Sequence, residues 1–240
     1  MAGPTERTYL DWDSRVFGLR IGRAIAPRLD AASAAETRRW LDAERLDCVY
    51  LLTGSDDPAS VRAAEDHGFR FVDIRLTFDR GLDPSDAPPP PADVRPAQGD
   101  DVPALQAIAR GSYRDSRFYV DGRLPETRCD ALYAAWIENA FRGRAKAVLV
   151  AENEGRPAGY LAITEPGPGE GQIDLLAVAE AARGHGHGGR LVAGCLRWCA
   201  EHQVRRVLVV TQGRNIAAQR LYQAAGFRTV SVELWYHLWR

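Results

Sequence analysis

The most informative part of the sequence is one glycine-rich stretch, Leu176-Ala177-Val178-Ala179-Glu180-Ala181-Ala182-Arg183-Gly184-His185-Gly186-His187-Gly188-Gly189. An apolar, strand-like run (Ile173–Val178) precedes it, and an amphipathic segment with helical spacing (Gly189–His202) follows it. Glycine fills four of the six positions 184–189, more than a plain strand-to-helix connection needs. Glycine lets backbone N–H groups turn towards a ligand, and a helix N-terminus adds partial positive charge. The stretch therefore predicts a cradle for a diphosphate.

Two phosphate-binding patterns overlap in this stretch. The spacing Gly184-x-Gly186-x-x-Gly189 matches the dinucleotide fingerprint, which requires a tight turn at the strand end and an acidic residue about twenty positions later. Here five residues separate Val178 from the first glycine, and Val204–Val210 contains arginines and valines but no acid. The second pattern, Arg183-x-x-Gly186-x-Gly188, places an arginine where it would neutralise a diphosphate. We therefore favour the second pattern.

Composition excludes several classes of protein. Of the 240 residues, 45% are apolar and 26% charged, which is ordinary for a globular chain with a core. Lys and Arg total 31 and Asp and Glu 32, so the net charge is −1, without the basic excess that a nucleic-acid-binding protein needs. No apolar run is long enough for a membrane helix, and the opening residues are polar. We expect a cytoplasmic protein without nucleic-acid or membrane partners.

The cysteines and histidines predict neither disulfides nor a metal site. Four cysteines (Cys48, Cys129, Cys195 and Cys199) are too few and too scattered for a disulfide framework. The last two lie one helical turn apart among apolar residues, so we expect buried packing. His185 and His187 lack a third ligand nearby, and a loop whose backbone faces a phosphate is expected to point its side chains outward, at most towards a ribose phosphate.

The clearest boundary in the chain is the proline-rich segment 83–92, whose run of four prolines cannot join a helix or a central strand. It predicts a linker between an N-terminal unit, 1–82, and a domain of ordinary size, 93–240. Asp100 or Asp101 is expected to cap the first helix of that domain. Strand or helix signals follow one another at 93–96, 102–109, 125–141, 147–151, 158–163, 173–178, 189–202, 207–211, 215–225, 227–232 and 233–238. This order predicts an α/β fold in which helices flank a mixed sheet.

The chain also contains an internal repeat at a constant offset of 158 residues, since Val49–Thr53 aligns with Val207–Thr211 and Gly68–Arg70 with Gly226–Arg228. Strand–helix–strand units can converge on such patterns, but one ungapped offset favours a decayed duplication of a half-domain. In either case we expect the first copy to pack as a strand–helix–strand unit. One difference bears on function, because Tyr222 of the second copy corresponds to Ala64 in the first.

The pattern Arg183-x-x-Gly186-x-Gly188, preceded by the strand Ile173–Val178, resembles the coenzyme A signature of the GNAT acyltransferase superfamily. The order of elements from Asp93 onward is also similar to that fold. The resemblance implies acetyl-CoA as co-substrate and no metal. It also implies that the strand before the motif splays from its neighbour, so that its backbone pairs with pantetheine. The acyl carrier would contact Leu176, Ala177, Val178, Arg183, Gly184, His185, Gly186, His187, Gly188, Gly189 and Asn215.

Three further islands resemble the dTDP-fucosamine acetyltransferase family: Trp12-Asp13-x-x-x-Phe17-Gly18, Ser116-Arg117-Phe118 and Trp136–Gly143. That family places a truncated GNAT-like half-domain before the acyltransferase domain. It acetylates the 4-amino group of a dTDP-linked deoxysugar. The resemblance implies the same organisation here, with 1–82 as the half-domain. An acceptor would enter at Ser116, Arg117 and Phe118, with the arginine on the diphosphate and an aromatic ring on thymine. Phe118 or Tyr119 would fit the core equally well.

Two residues are candidates for proton transfer. The resemblance implies that Tyr222 protonates the departing thiolate; it lies two helical turns after Asn215, on the same side of the helix. Asp174 is a candidate general base for the ammonium group. Backbone N–H groups around Leu176–Val178 would stabilise the oxyanion. Structural alternatives remain open: Tyr222 as ordinary core, Asn215 as a helix cap alone, Asp174 as a polar strand residue and Arg183 as a surface arginine.

The donor motif leaves the acceptor open. The leading prediction is an N-acetyltransferase for a nucleotide-linked amino sugar, and an amino acid, an antibiotic or a protein amine would fit the same donor motif. A non-catalytic acyl-CoA sensor would require lost catalytic positions, and only the first copy has lost them, as Ala64 indicates. The aromatic residues Trp235, Tyr236 and Trp239 near the end of the chain suit either a homodimer contact or the core.

Overall fold

The ten strands form one continuous mixed sheet in the computed structural model, which describes residues 5–83, 85 and 87–240. The strands are β1 (Glu6–Tyr9), β2 (Ile21–Ala26), β3 (Cys48–Gly54), β4 (Arg70–Gly81), β5 (Val94–Pro96), β6 (Ala147–Asn153), β7 (Arg156–Gly167), β8 (Glu170–Val178), β9 (Arg206–Gln212) and β10 (Arg228–Trp239). Their order across the sheet is β1-β2-β3-β10-β4-β9-β8-β7-β6-β5. Only β2 with β3 and β8 with β9 pair in parallel. The predicted mixed α/β fold is confirmed.

Eight helices cover the two faces of this sheet in the described part of the chain: α1 (Asp11–Phe17), α2 (Ala31–Ala43), α3 (Pro58–Asp66), α4 (Val102–Ala109), α5 (Arg117–Val120), α6 (Glu126–Asn139), α7 (His187–Glu201) and α8 (Ile216–Ala224). Three apolar clusters fill the space between helices and sheet. One lies under α4, α5 and α6, a second under α7 and α8, and a third under α2 and α3. All four cysteines are buried and unpaired, as expected.

Three local predictions differ from the structure. The segments 227–232 and 233–238 form one strand, β10, because two register shifts bend it without ending it. The helix predicted from Gly189 begins two residues earlier, at His187. Asp101 precedes α4, but its carboxylate accepts hydrogen bonds from the Gln98 N–H and from Arg95 and does not cap that helix.

The repeat seen in the sequence reappears as an approximate twofold arrangement of strands. We call β3-α3-β4 the first copy and β9-α8-β10 the second. Arg75 of β4 lies opposite both Glu233 and Gln212, and Glu233 of β10 lies opposite both Arg75 and Gly54. Adding the offset of 158 to Arg75 and Gly54 gives Glu233 and Gln212, so the two sets of pairings are equivalent. The repeat therefore describes the geometry of the sheet as well as the sequence.

Each copy has exchanged its last strand with the other. In the order β3-β10-β4-β9, the two strands of the first copy enclose β10, and the two strands of the second copy enclose β4. The sheet consequently runs through both 1–82 and 93–240, which meet along the whole of β4. Residues 1–4 and, within the linker 83–92, Pro84 and Asp86 lie outside the described residues. In the part of the chain described, no helix is long and apolar enough to cross a membrane.

Candidate active site

The central feature of the site is a gap between two parallel strands. β8 and β9 pair from Glu170 opposite Arg206 to Ile173 opposite Val209, and no further. Beyond that point they diverge, and a cavity of about 660 Å³ opens between Asp174–Val178 and Val210–Gln212. On its other side β8 stays paired with β7 as far as Val178. The splay implied by the family resemblance is therefore present, and one backbone edge of β8 faces the cavity.

Asp174 lies at an irregularity that turns the strand. Opposite β7, Leu175 pairs with Ala162 and Ile173 with Ile163, so Asp174 is the extra residue of a β-bulge. The bulge places Ile173 in the core under α7 and α8, but Leu175 in the core under α4, α5 and α6. Asp174 itself lines the cavity and remains accessible from it. Its surroundings raise the pKa of the carboxyl by desolvation, against the opposing charge of Arg144.

The glycine-rich stretch borders the same cavity through Arg183 and Gly188. Gly184 and Gly186 both have φ near +81°, a conformation that side chains disfavour, and Gly186 occupies the N-cap position of α7. A Cβ added at Gly184 or Gly189 would contact no other atom, so the space in front of the loop is open. Arg183 lines the cavity, and its Nε donates to the Val178 carbonyl at 3.2 Å. The backbone and charge here fit the predicted diphosphate cradle.

The two histidines of this loop behave differently. His185 is exposed, as expected, but the prediction that His187 also points outward is wrong, since only 4% of it is exposed. The His187 Nδ1 accepts a hydrogen bond from Arg190 Nη2 at 2.9 Å, and Arg190 Nε is 2.6 Å from the Asp93 carboxylate. Burial lowers the pKa of His187, which keeps the ring neutral and able to accept. His187 thus fastens the first turn of α7 to the segment that follows the linker.

Tyr222 and Asn215 reach the cavity from α8, as their spacing predicted. The Tyr222 ring packs against Phe227 and against Phe78 of β4, with centroids 5.9 and 6.3 Å apart. Burial raises the pKa of Tyr222, so its hydroxyl stays protonated at neutral pH. The Asn215 Oδ1 accepts from the Ala218 N–H at 3.0 Å, which confirms the cap. Tyr222 is therefore both packed in the core and in contact with the cavity.

A second carboxylate, Asp73, reaches the cavity from β4. It is 3% exposed, and burial raises its pKa to about 6, although the Arg214 guanidinium 3.6 Å away lowers it. Nothing in the alternating sequence of β4 distinguishes this residue, and only the exchange of strands brings it to the site. Sequence reasoning also did not place Arg23, Arg75 and Trp235 at the cavity, because pairing between strands that are distant in sequence brings them there.

The opposite end of the cavity is built around Arg117, the first residue of α5. Its guanidinium carbon lies 4.1, 4.3 and 4.9 Å from the ring centroids of Phe118, Trp235 and Tyr50. These distances indicate cation–π contacts. The Nε is buried without a hydrogen-bond partner in the described structure, and the residue lines the cavity. Arg117 therefore presents its positive charge at a largely aromatic surface.

The other two members of the predicted acceptor motif are buried. Phe118 is 1% exposed and packs against Phe17 and Trp136 in the core, and Arg117 covers its ring. Ser116 is also buried and precedes α5. Both residues nonetheless border the cavity, so Phe118 belongs to the core and to the edge of the site. Trp136, half-buried on α6, also lines the cavity beside Arg117.

Comparisons with known proteins agree with this geometry. The sequence profile of the Acetyltransferase (GNAT) family matches residues 107–227, just over half of the 240 residues, and the chain belongs to that family. It is 24% identical to the spore coat polysaccharide biosynthesis protein SpsD of Bacillus subtilis over 95% of this chain and 81% of that protein. It is 31% identical to a dTDP-fucosamine acetyltransferase of Escherichia coli over 58% of this chain and 60% of that protein.

A solved structure shares the whole fold. The GCN5-related N-acetyltransferase from Sphaerobacter thermophilus superposes with a TM-score of 0.68 at 18% identity, covering 98% of this chain and 76% of that one. Family membership and the open strand pair together define the protein as an acyl-CoA-dependent N-acetyltransferase. In the residues described, no group of three His, Cys, Asp or Glu side chains is placed to hold a metal ion.

Proposed function

We propose that this protein transfers an acetyl group from acetyl-CoA to the amino group of a dTDP-linked amino-deoxysugar. The observation that carries the proposal is Arg117, a cation surrounded by aromatic rings that lines the same cavity as Arg183. The cavity would thus offer two separate places for anions, one for each substrate. Two relatives whose names refer to polysaccharide synthesis and to a dTDP-amino sugar support this acceptor class.

Acetyl-CoA would occupy the gap between β8 and β9. Its diphosphate would meet the N–H groups of residues 183–189 and the Arg183 side chain, because a helix N-terminus with a glycine loop favours anions. The pantetheine would pair with the free backbone edge of Leu176, Ala177 and Val178, as an added strand does. Asn215 would contribute its amide N–H₂, since the helix cap uses only its oxygen.

The reaction would then proceed by direct attack of the amine on the thioester carbonyl. The carbon–nitrogen bond forms, the carbon–sulfur bond breaks, and the oxyanion between these steps is held by backbone N–H groups of β8. The thiolate that leaves takes a proton from the Tyr222 hydroxyl, which is protonated at neutral pH because burial raises its pKa. If Tyr222 served only to fill the core, it would not need to line the cavity, as it does.

An attacking amine must first lose a proton, and two carboxylates face the cavity. Asp174 and Asp73 both have raised pKa values, which suits a group that accepts a proton near neutral pH. Asp174 sits on the strand that would hold the thioester, and we assign it the role of general base. Asp73, on the exchanged strand, is the second candidate. Separate Asp174→Asn and Asp73→Asn variants distinguish them by which one loses the acidic limb of the pH–rate profile.

The acceptor would bind with its diphosphate on Arg117 and Arg23, whose Nε atoms are both buried without a partner among the described residues. A phosphate would supply the hydrogen-bond acceptors that these guanidinium groups lack, so its binding there is favourable. Thymine would stack on Trp136, which already stacks on Trp12 at 5.7 Å. The amino group of the sugar would then lie between the two anion sites, near Asp174 and Tyr222.

The test is a thiol-release assay with acetyl-CoA and a panel of amines: dTDP-4-amino-4,6-dideoxygalactose, other dTDP-amino sugars, amino acids and aminoglycosides. We expect release with a dTDP-amino sugar, an acetylated product by mass spectrometry, and loss of that activity in Arg117→Ala with acetyl-CoA affinity unchanged. Turnover with an amine that lacks a nucleotide would transfer the proposal to another acceptor. Tight coenzyme A binding without any turnover would indicate a sensor.

A further inference from the structure

Arg117 belongs to a helix that is too short to be stable without tertiary contacts. α5 has four residues, Arg117–Val120, and irregular turns flank it on both sides. A helix of one turn has almost no intrinsic stability in water, because nucleation costs more than one turn of hydrogen bonds returns. The position of Arg117 must therefore be fixed by tertiary contacts of α5 and of the residues next to it.

Besides the buried ring of Phe118 and the hydrogen bond from Tyr119 to Asp130, one such contact is made by Asp121, which directly follows α5. Its carboxylate accepts hydrogen bonds from His237 Nδ1 and, at 3.0 Å, from Trp239 Nε1. Both partners lie on β10, and the side chains of Asp121 and His237 are 2% and 0% exposed. Burial alone would raise the pKa of Asp121, but the bonds from His237 and Trp239 lower it, so the carboxylate is ionised. Burial also lowers the pKa of His237 to about 4, which leaves a neutral imidazole donating through Nδ1.

The same histidine supports Arg117 by a second route. The His237 ring packs on the ring of Tyr50, with centroids 4.4 Å apart, and Tyr50 lies under the Arg117 guanidinium. Trp235, two residues before His237 on β10, supplies another of the rings around that guanidinium. Asp121 thus holds the end of α5 to β10, and Tyr50 and Trp235 hold its beginning.

We propose that Asp121 and His237 are positioning residues for the acceptor: they hold α5 so that Arg117 meets the acceptor diphosphate at a fixed place. The inference rests on the proposed function, since it takes Arg117 to bind that diphosphate. Neither residue is placed in contact with either substrate. Their loss should therefore weaken acceptor binding and leave acetyl-CoA binding as it is.

The test compares His237→Phe, which keeps a ring on Tyr50 but removes the donor to Asp121, with His237→Gln, which restores an N–H donor. Calorimetry with dTDP as probe gives the affinity of the acceptor end, and calorimetry with acetyl-CoA gives that of the donor end. We expect His237→Phe to weaken dTDP binding about tenfold, the scale of one hydrogen bond to a charged group, with partial recovery in His237→Gln. Acetyl-CoA affinity should stay within about twofold, the scatter expected of a site that the change does not touch.

A double-mutant cycle separates positioning from general stability. In an Arg117→Lys background, which has already lost the forked contact, His237→Phe should weaken dTDP binding no further. Equal loss of dTDP and acetyl-CoA affinity, or an additive loss in the double variant, overturns the positioning role. If His237→Phe does not fold, Asp121→Asn, which keeps an oxygen acceptor for Trp239, is measured in its place and read in the same way.

The same data distinguish this inference from the proposed function. If Arg117→Lys weakens dTDP binding but neither His237→Phe nor Asp121→Asn does, the positioning role is wrong and the acceptor site stands. If Arg117→Lys leaves dTDP binding unchanged, the acceptor site itself is misplaced, and the positioning role is overturned with it.

Discussion

The two copies of the repeat have the same strands and helices, but only the second adjoins a gap between parallel strands. Next to the first copy, β2 pairs with β3 along its whole length, from Ile21 opposite Cys48 to Ala26 opposite Thr53. Next to the second copy, β8 and β9 separate after Ile173 and Val209, where β8 carries its β-bulge. The same kind of parallel strand pair is therefore closed beside one copy and open beside the other.

The helices that follow β2 and β8 also differ, in the residue at their N-cap positions. The N-cap residue of α2 is Asp30, whose carboxylate accepts from the Ser33 N–H at 2.8 Å. The N-cap residue of α7 is Gly186, which offers no side chain to the first turn. A carboxylate cap satisfies an N–H group and adds a negative charge, so it disfavours an anion at a helix end where a glycine cap would admit one. The first copy therefore has neither the strand gap nor the glycine cap beside it, and Ala64 stands in place of Tyr222.

The first copy nonetheless supports the second, because β4 is inserted between β9 and β10. We expect residues 93–240 alone to lose essentially all activity, since removal of 1–82 leaves β10 without a paired strand, β9 paired only with β8, and the Tyr222 ring without Phe78. Co-expression of 1–86 with 87–240 should restore a complex that co-purifies and turns over acetyl-CoA. A folded, active 93–240 fragment would show that the exchanged strand is dispensable.

The next largest effect should come from removing the hydroxyl of Tyr222, which the first copy also lacks because it has Ala64 at this position. Tyr222→Phe should lower kcat by about 10²–10⁴-fold, the range for loss of a general acid, with acetyl-CoA affinity retained. Steady-state kinetics and calorimetry measure the two quantities. The matched control is Tyr236→Phe, a buried tyrosine of β10 that lies in the cluster under α2 and α3. Unchanged turnover in Tyr222→Phe would remove this residue from the mechanism.

A smaller effect is expected at the rim of the glycine cradle. Arg183→Glu replaces the positive charge by the sign that Asp30 carries beside the first copy, and we expect coenzyme A affinity to fall by about tenfold or more in calorimetry at low salt. Arg228→Glu, an equal charge change on the exposed start of β10, serves as control. Equal affinities for both variants would mean that the cradle is assigned to the wrong loop.

The smallest effect concerns pH. Because burial raises the pKa of Asp73 to about 6, this carboxyl is protonated below that pH and accepts no proton from an amine. If it is the base, kcat/KM for the acceptor should fall about tenfold per pH unit below 6 and be level above it, until other groups titrate. Asp73→Asn should then abolish the acidic limb. Retention of the limb in that variant, with its loss in Asp174→Asn, assigns the base to β8.

Much of the candidate site could be predicted from short sequence motifs. The residues that distant strands bring to it could not. The glycine loop and Arg183 were predicted from their own pattern, whereas Asn215 and Tyr222 were predicted from the family resemblance, and all of them lie on elements that follow one another closely in sequence. The offset of 158 was visible as well, but which strands exchange depends on pairing between distant segments, and no local signal encodes it. That is why Asp73 was missed.

Two smaller differences have local causes that spacing does not reveal. The outward orientation expected for His187 failed because a partner 94 positions earlier in the chain, Asp93, holds Arg190 against it. Phe118 differs from either expectation taken alone, because its ring packs in the core against Phe17 and also borders the cavity beside Arg117. Sequence patterns gave the chemistry of each residue but not its surroundings.

One contact at the centre of the sheet fixes how the two halves must associate. Where β4 and β10 cross the approximate twofold axis, Arg75 faces its own counterpart Glu233, and the two side chains form an ion pair. Were a sheet of this kind assembled from two identical halves, the residue on the axis would face a second copy of itself, arginine against arginine or glutamate against glutamate. Like charges directly opposite each other destabilise a strand pair. The opposite charges of this chain therefore select mixed pairing and disfavour self-association of either half.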